Sequence, residues 1–104
     1  MNRRLCLITG AAAGIGAEFA RQYAALGWNL VLTARRENRL QELAQDIRTR
    51  SNVEVTVISE DLADPVAPAR LVAALEGRSV AVDALVNNEG YGLPGTFFST
   101  TWED

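Results

Sequence analysis

Apolar residues fall along this chain in two alternating rhythms. Short continuous runs, Leu5-Cys6-Leu7-Ile8 and Leu30-Val31-Leu32, predict strands over about Arg4–Thr9 and Asn29–Thr33 that are covered on both faces. Val53, Val55 and Val57 alternate with Glu54 and Thr56, so a strand over Val53–Ile58 is expected to have one wetter face, as at a sheet edge. A fourth strand is predicted at Ala84–Asn87. Between the strands the spacing becomes helical. Ile15, Phe19, Tyr23 and Leu26 predict a helix over Ile15–Leu26 with those four as its apolar stripe and Glu18, Arg21 and Gln22 opposite. Gly27 is placed to end it in a left-handed conformation. Leu40, Leu43, Ala44 and Ile47 predict a second helix over Glu37–Arg48. Leu71, Val72 and Leu75 mark a third, which ends at Gly77. Asp64 followed by Pro65 reads as its cap and first residue, although Pro68 also allows a start a few residues later.

Strands alternating with helices over short connections specify an α/β fold with right-handed crossovers. The expected architecture is a Rossmann-type doubly wound parallel sheet of strand order 3-2-1-4. Its ligand crevice lies between the first and fourth strands, where the winding reverses. With 104 residues the chain is one small unit, and 48% hydrophobic content suits a globular core.

Charge and composition narrow the chemistry. A net charge of −3 gives no basic face for nucleic acid or an anionic membrane. No apolar run is long enough to span a bilayer. The basic start, Met1-Asn2-Arg3-Arg4, precedes an apolar run too short for a signal-peptide core. The single Cys6 forms no internal disulfide and reads as a small buried hydrophobe. A cytoplasmic protein is expected. There is no His, and all 10 basic residues are Arg. A histidine zinc site and a Ser-His-Asp triad are therefore excluded.

The chain is organised around Thr9 to Gly16, where Gly10, Gly14 and Gly16 stand between a strand and a helix. Helix-start N–H groups lack intrahelical partners, and the helix dipole favours an anion there. One such contact is worth only ~0.3–2 kcal/mol. A diphosphate meeting several N–H groups is therefore the expected ligand. The pattern Gly10-x3-Gly14-x-Gly16 is neither Gly-x-Gly-x-x-Gly nor a Lys-bearing P-loop.

With Thr9 in front and Ile15 between the last two glycines, this turn resembles that of the short-chain dehydrogenase/reductase family. Asp61-Leu62 after the third strand resembles the family's adenine-contacting Asp segment, and Asn87-Asn88-Glu89-Gly90 after the fourth resembles its Asn-Asn-Ala-Gly segment. The resemblance implies an oxidoreductase that moves hydride between a nicotinamide and a carbonyl or alcohol substrate. It implies that Ala12, Ala13 and Ile15 line the cofactor diphosphate, with Gly10, Gly14 and Gly16 allowing its approach. Asp61, with Leu62 beside it, would take the adenine amino group; Asn87 and Gly90 would flank the ribose; Asn88 would brace the sheet. Where NAD-preferring enzymes carry an acid after the second strand, this chain has Ala34 and then Arg35 and Arg36. Guanidinium groups suit a phosphate, so NADP(H) is expected over NAD(H), with Arg35 on the 2′-phosphate and Arg36 assisting.

The chain departs from the family in two respects. Glu89 replaces a small Ala, and a carboxylate there either points to solvent or weakens binding. The family's proton-delivering Tyr-x-x-x-Lys has no counterpart, because Tyr23 is followed at that spacing by Gly27, and Tyr91 by Gly95. No catalytic residue is assigned. Thr100 with Glu103 three residues later matches a capping box that announces a further helix. The chain is therefore expected to be the front part of a longer single-domain fold and inactive alone. Self-association through the uncovered fourth strand is expected as well. The alternative is a non-catalytic nucleotide-binding or interaction module.

Overall fold

The computed structural model describes residues 3–12, 14–78 and 81–88. Four strands, β1 (Leu5–Thr9), β2 (Asn29–Ala34), β3 (Val55–Ser59) and β4 (Ala84–Asn87), alternate with three helices, α1 (Gly14–Ala25), α2 (Glu37–Arg50) and α3 (Ala67–Gly77). The strands form one parallel sheet of order β3-β2-β1-β4, as the pattern predicts. Thr9 stands level with Thr33 on one side and Asn87 on the other, so all three lie at the same end of the sheet.

Alternation along the strands divides the core in two. Cys6, Ile8, Leu30, Leu32, Ala84 and Val86 point to the face covered by α1 and α2. Leu7, Val31 and Leu85 point to the other, covered by Leu62 and by Ala67, Leu71 and Leu75 of α3. β1 and β2 are thus apolar on both faces because each face carries a helix layer. β3 lies at an edge, and four of its five residues retain some exposure, as its alternation foretells.

The buried face of α1 differs from the expected stripe. Gly16, Ala17, Ala20 and Ala24 face the sheet, while Ile15, Phe19 and Leu26 remain 67%, 41% and 74% exposed. Tyr23 alone of the four packs at the margin, edge-on to Trp28 with ring centroids 5.0 Å apart. The reason lies at the start of the helix. A Cβ at Gly16 would sit 2.3 Å from the Gly10 carbonyl oxygen, so helix and turn meet backbone to backbone. A helix held that close leaves room only for small side chains along its inner face. Large apolar residues at helical spacing therefore mark the wrong side.

The start of α3 also differs from the simpler reading. Asp64 does not cap the helix directly; its Oδ1 accepts the Val66 N–H at 3.1 Å in a preceding turn. The helix begins at Ala67, with Pro68 in its first turn, where the missing N–H has no intrahelical partner to lose. Leu71 and Leu75 face the core, and Val72 lies at the exposed margin. Gly27 ends α1 at φ +92°, as expected.

One buried polar atom is unmatched. Among the described residues, the hydroxyl of Thr33 has no hydrogen-bond partner, although the residue is fully buried. Replacing it by Val removes an unsatisfied group without changing shape. Thr33→Val is expected to raise stability by about 1 kcal/mol, read as a higher urea midpoint at unchanged slope. A lower midpoint would show that the hydroxyl holds a partner.

Gly14 and Gly16 separate two kinds of constraint. Gly14 has φ +62° and open space where a Cβ would go, so Gly14→Ala is expected to cost only about 1–2 kcal/mol of conformational strain. Gly16→Ala drives a methyl into backbone and is expected to cost about 3 kcal/mol or more. Urea denaturation of the two variants side by side tests that ranking, and equal losses would contradict it.

Candidate functional site

The glycine turn is held open at the carboxyl end of β1. Gly10 and Gly14 both have φ +62°, which turns the chain from strand into helix within a few residues. The Ala11 N–H donates to the Thr33 carbonyl at 3.3 Å, tying the turn to β2. Ile15 stands exposed at the start of α1.

The end of β4 closes the other side. Thr9 Oγ1 donates to Asn87 Oδ1 at 2.9 Å and accepts the Asn88 N–H at 3.0 Å. Asn88 Nδ2 donates to the Gly10 carbonyl at 3.3 Å. That carbonyl is the same atom that crowds Gly16. Thr9 and Asn88 therefore fix the glycine turn against the β4 end, and the turn lies beside Asn87 in the crevice where the winding reverses.

β3 brings Asp61 to the same end. The Glu60 N–H donates to the Ala34 carbonyl at 3.0 Å, and the Ser59 hydroxyl reaches the Ala34 and Arg35 carbonyls at 3.3 and 3.1 Å. Asp61 Oδ1 accepts the Ala63 N–H at 3.0 Å. The Leu62 side chain is fully buried in the α3-side core, so only its backbone is presented outward. Arg70 on α3 grips Glu60 at 2.9 Å and Asp64 at 3.2 Å, stapling this loop to the helix. The Val66 N–H first, then Arg70, hold the Asp64 carboxyl below the usual carboxylate range. With a lowered folded-state value, this contribution is complete above the ordinary Asp value of about 3.9 and fades as pH falls through the lowered one.

Arg35 and Arg36 follow β2 directly and are exposed. Arg36 is the residue preceding α2 and makes no side-chain cap, so among the described residues no side chain satisfies the first N–H groups of that helix. Beyond them, a groove of about 370 Å³ runs between α1 and α2. It is lined by Ala12, Gly14 and Ala17 on one side and by Arg39, Glu42 and Asp46 among the residues on the other. Arg39 is a groove residue that sequence reading passed over. Its signal is its place one helical turn beyond Arg35, on the helix that opens there.

Of the sequence-derived candidates, Gly10, Ala12, Gly14, Ile15, Gly16, Arg35, Arg36, Asp61, Leu62 and Asn87 all stand at or just beyond the carboxyl end of the sheet. Ala13, Glu89, Gly90 and Tyr91 lie outside the described residues, as does the capping-box segment. No helix among the described residues is long and apolar enough to cross a membrane.

Comparison with known proteins agrees with this geometry. Residues 4–104 match the family described as short chain dehydrogenase. Sulfoacetaldehyde reductase 2 from Chromohalobacter salexigens is 42% identical over 89 residues, which is 86% of this chain and 34% of that protein. Among solved structures, a short-chain dehydrogenase from Sphingobium yanoikuyae in complex with NADPH superposes with a TM-score of 0.76 and 40% identity, covering 96% of this chain and 39% of that one. L-Sorbose reductase from Gluconobacter frateurii, complexed with NADPH and L-sorbose, superposes with a TM-score of 0.80 and 31% identity, over 96% of this chain and 38% of that one. The chain thus spans about a third of the length of the first of these relatives. Matched over nearly all of its residues, it belongs to the short chain dehydrogenase family.

Proposed function

We propose that residues 1–104 form the dinucleotide-binding part of an NADP(H)-dependent short-chain oxidoreductase that acts on a small carbonyl or alcohol substrate. The observation that carries this reading is the pairing of an open glycine turn with uncompensated arginines across β2. The turn is not packed shut, and a Cβ at Gly14 would meet nothing within 4 Å. Among the described residues, no side-chain hydrogen bond or ion pair engages the guanidinium of Arg35 or Arg36. The NADPH seen with the Sphingobium and Gluconobacter proteins supports the same cofactor.

In this reading the N–H groups around Ala12, Ala13 and Ile15 receive the diphosphate, and Gly10, Gly14 and Gly16 keep side chains out of its way. Asp61 has one oxygen on the Ala63 N–H and keeps the other for the adenine amino group. Asn87, held by the Thr9 hydroxyl, and Gly90 flank the ribose. Arg35 and Arg36 take the 2′-phosphate. When bound, the nicotinamide supplies or accepts the hydride. The accompanying proton comes from residues beyond this segment, since the chain holds neither Lys nor His. The free, buried Cys6 fits a cytoplasmic protein.

Self-association through β4 belongs to the same proposal. Among the described residues β4 pairs only with β1, and Ala84-Leu85-Val86-Asn87 carries no charge to repel a second strand. Sedimentation velocity over rising concentration is expected to show a growing dimer fraction, whereas a monomer at every concentration would exclude this pairing.

Cofactor choice is tested by titrating NADPH and NADH into the chain and into Arg35→Ala. The expected result is a preference for NADPH of about tenfold or more, equivalent to about 1.4 kcal/mol, that largely disappears in the variant. Equal affinities in the unaltered chain would overturn the choice of NADP(H).

A further inference from the structure

β3 forms one margin of the sheet, and among the described residues it pairs only with β2. The register fixes which of its backbone groups that pairing uses. Leu30 stands level with Val55, and its N–H donates to the Glu54 carbonyl at 2.9 Å. At the other end Ala34 stands level with Ser59, and its carbonyl accepts the Glu60 N–H at 3.0 Å. In such a parallel ladder the residue level with a bonded partner turns its own N–H and C=O the other way. Val55, Val57 and Ser59 therefore direct their backbone groups away from β2, and Thr56 and Ile58 direct theirs toward it.

The strand that carries this outward row is suited to adding another. Val-Thr-Val-Ile-Ser has no charge, no Pro and no Gly, and four of its five residues are β-branched. An edge of this kind is a template for a second chain. In antiparallel pairing about Val57, the Val55 carbonyl would accept the N–H of Ser59 from a second copy. Flanking carboxylates are a weak barrier to it. Glu54 would come level with Glu60 of that copy, whose charge Arg70 already balances at 2.9 Å. One cation stands in the way. Arg48, in the last turn of α2, folds back across the Ser51-Asn52 connection, and its guanidinium donates to the Val55 carbonyl. Ile47 beside it is buried in the core, which anchors the turn that carries it.

We propose that Arg48 guards the β3 edge against a strand from a second copy of this chain, by occupying the Val55 carbonyl that such a strand needs. The guanidinium acts twice. It fills the acceptor with a charge-assisted bond, which a neutral N–H from an incoming strand does not match. It also sets a charge beside the edge, and a strand laid over it would have to strip that charge of water. The guard is independent of pairing at β4, which lies at the opposite margin of the sheet.

The test compares the unaltered chain, Arg48→Ala and Arg50→Ala by sedimentation velocity at matched concentrations and by residue-resolved amide exchange. Arg50 stands in the same last turn, pairs with Asp46 at 2.9 Å and serves as the control for losing one positive charge. Whatever state the unaltered chain adopts, Arg48→Ala is expected to reach a mean mass about twofold higher or more, and Arg50→Ala to match the unaltered chain. In the larger species the amides of Val55, Val57 and Ser59 become protected. Those of Thr56 and Ile58, which donate within the sheet, are protected in all three proteins. Arg48→Ala that sediments like the unaltered chain overturns the proposal. Growth that leaves Val55, Val57 and Ser59 unprotected overturns it too, because association then uses another surface. Growth accompanied by lost protection at Thr56 and Ile58 overturns it as the product of an opened fold, and equal growth in Arg50→Ala as a general charge effect.

Discussion

The contact between the Gly10 carbonyl and the backbone at Gly16 sets the geometry of everything around it. Nothing larger than hydrogen fits between them, so the start of α1 is held against the end of β1. The same carbonyl accepts from Asn88 Nδ2, which brings the end of β4 to the turn. One oxygen thereby joins the strand, the helix and the neighbouring strand at the point where the sheet changes its direction of winding. A ligand there meets backbone from three elements, and backbone N–H groups are donors that no side-chain rearrangement can withdraw.

That close approach also decides how α1 packs. Helices usually bury their largest apolar residues, and α2 does so with Leu40, Leu43 and Ile47. α1 buries Ala17, Ala20 and Ala24, because a helix pinned to the sheet at its first turn has no depth for Leu or Phe. Ile15, Phe19 and Leu26 are left outward. The constraint that brings helix and turn together backbone to backbone leaves a thinner core along the rest of the helix. The partner faces of β1 and β2 compensate with Ile8, Leu30 and Leu32, all fully buried.

Much of this was legible in the sequence because it follows from local periodicity and from residues with few alternatives. Continuous apolar runs named β1 and β2, a valine alternation named the edge strand β3, and Gly27 named the end of α1. Strand order followed from reading that alternation as a Rossmann-type doubly wound sheet. The inner face of α1 was not legible, since hydrophobic spacing favours large residues and cannot register that a carbonyl sixteen atoms of backbone or more away forbids them. The start of α3 was ambiguous because Asp64-Pro65 and Pro68 each satisfy the rules for a first turn. Arg39 was hidden for a different reason: it looks like any exposed helical cation until α1 and α2 are placed side by side and it is seen to line the groove between them.

Binding and chemistry are separable in such a fold. The residues proposed to hold a dinucleotide sit at the strand ends of β1 to β4 and are positioned by interactions within this segment: Thr9 with Asn87 and Asn88, Ser59 with the end of β2, Arg70 with Glu60 and Asp64. Discrimination by phosphate needs only fixed positive charge, and guanidinium groups stay charged across all ordinary pH. A chain rich in Arg and free of Lys and His is suited to recognising an anion and poorly suited to moving a proton. The balance of residue types therefore agrees with the proposed role of this segment in binding an anionic carrier.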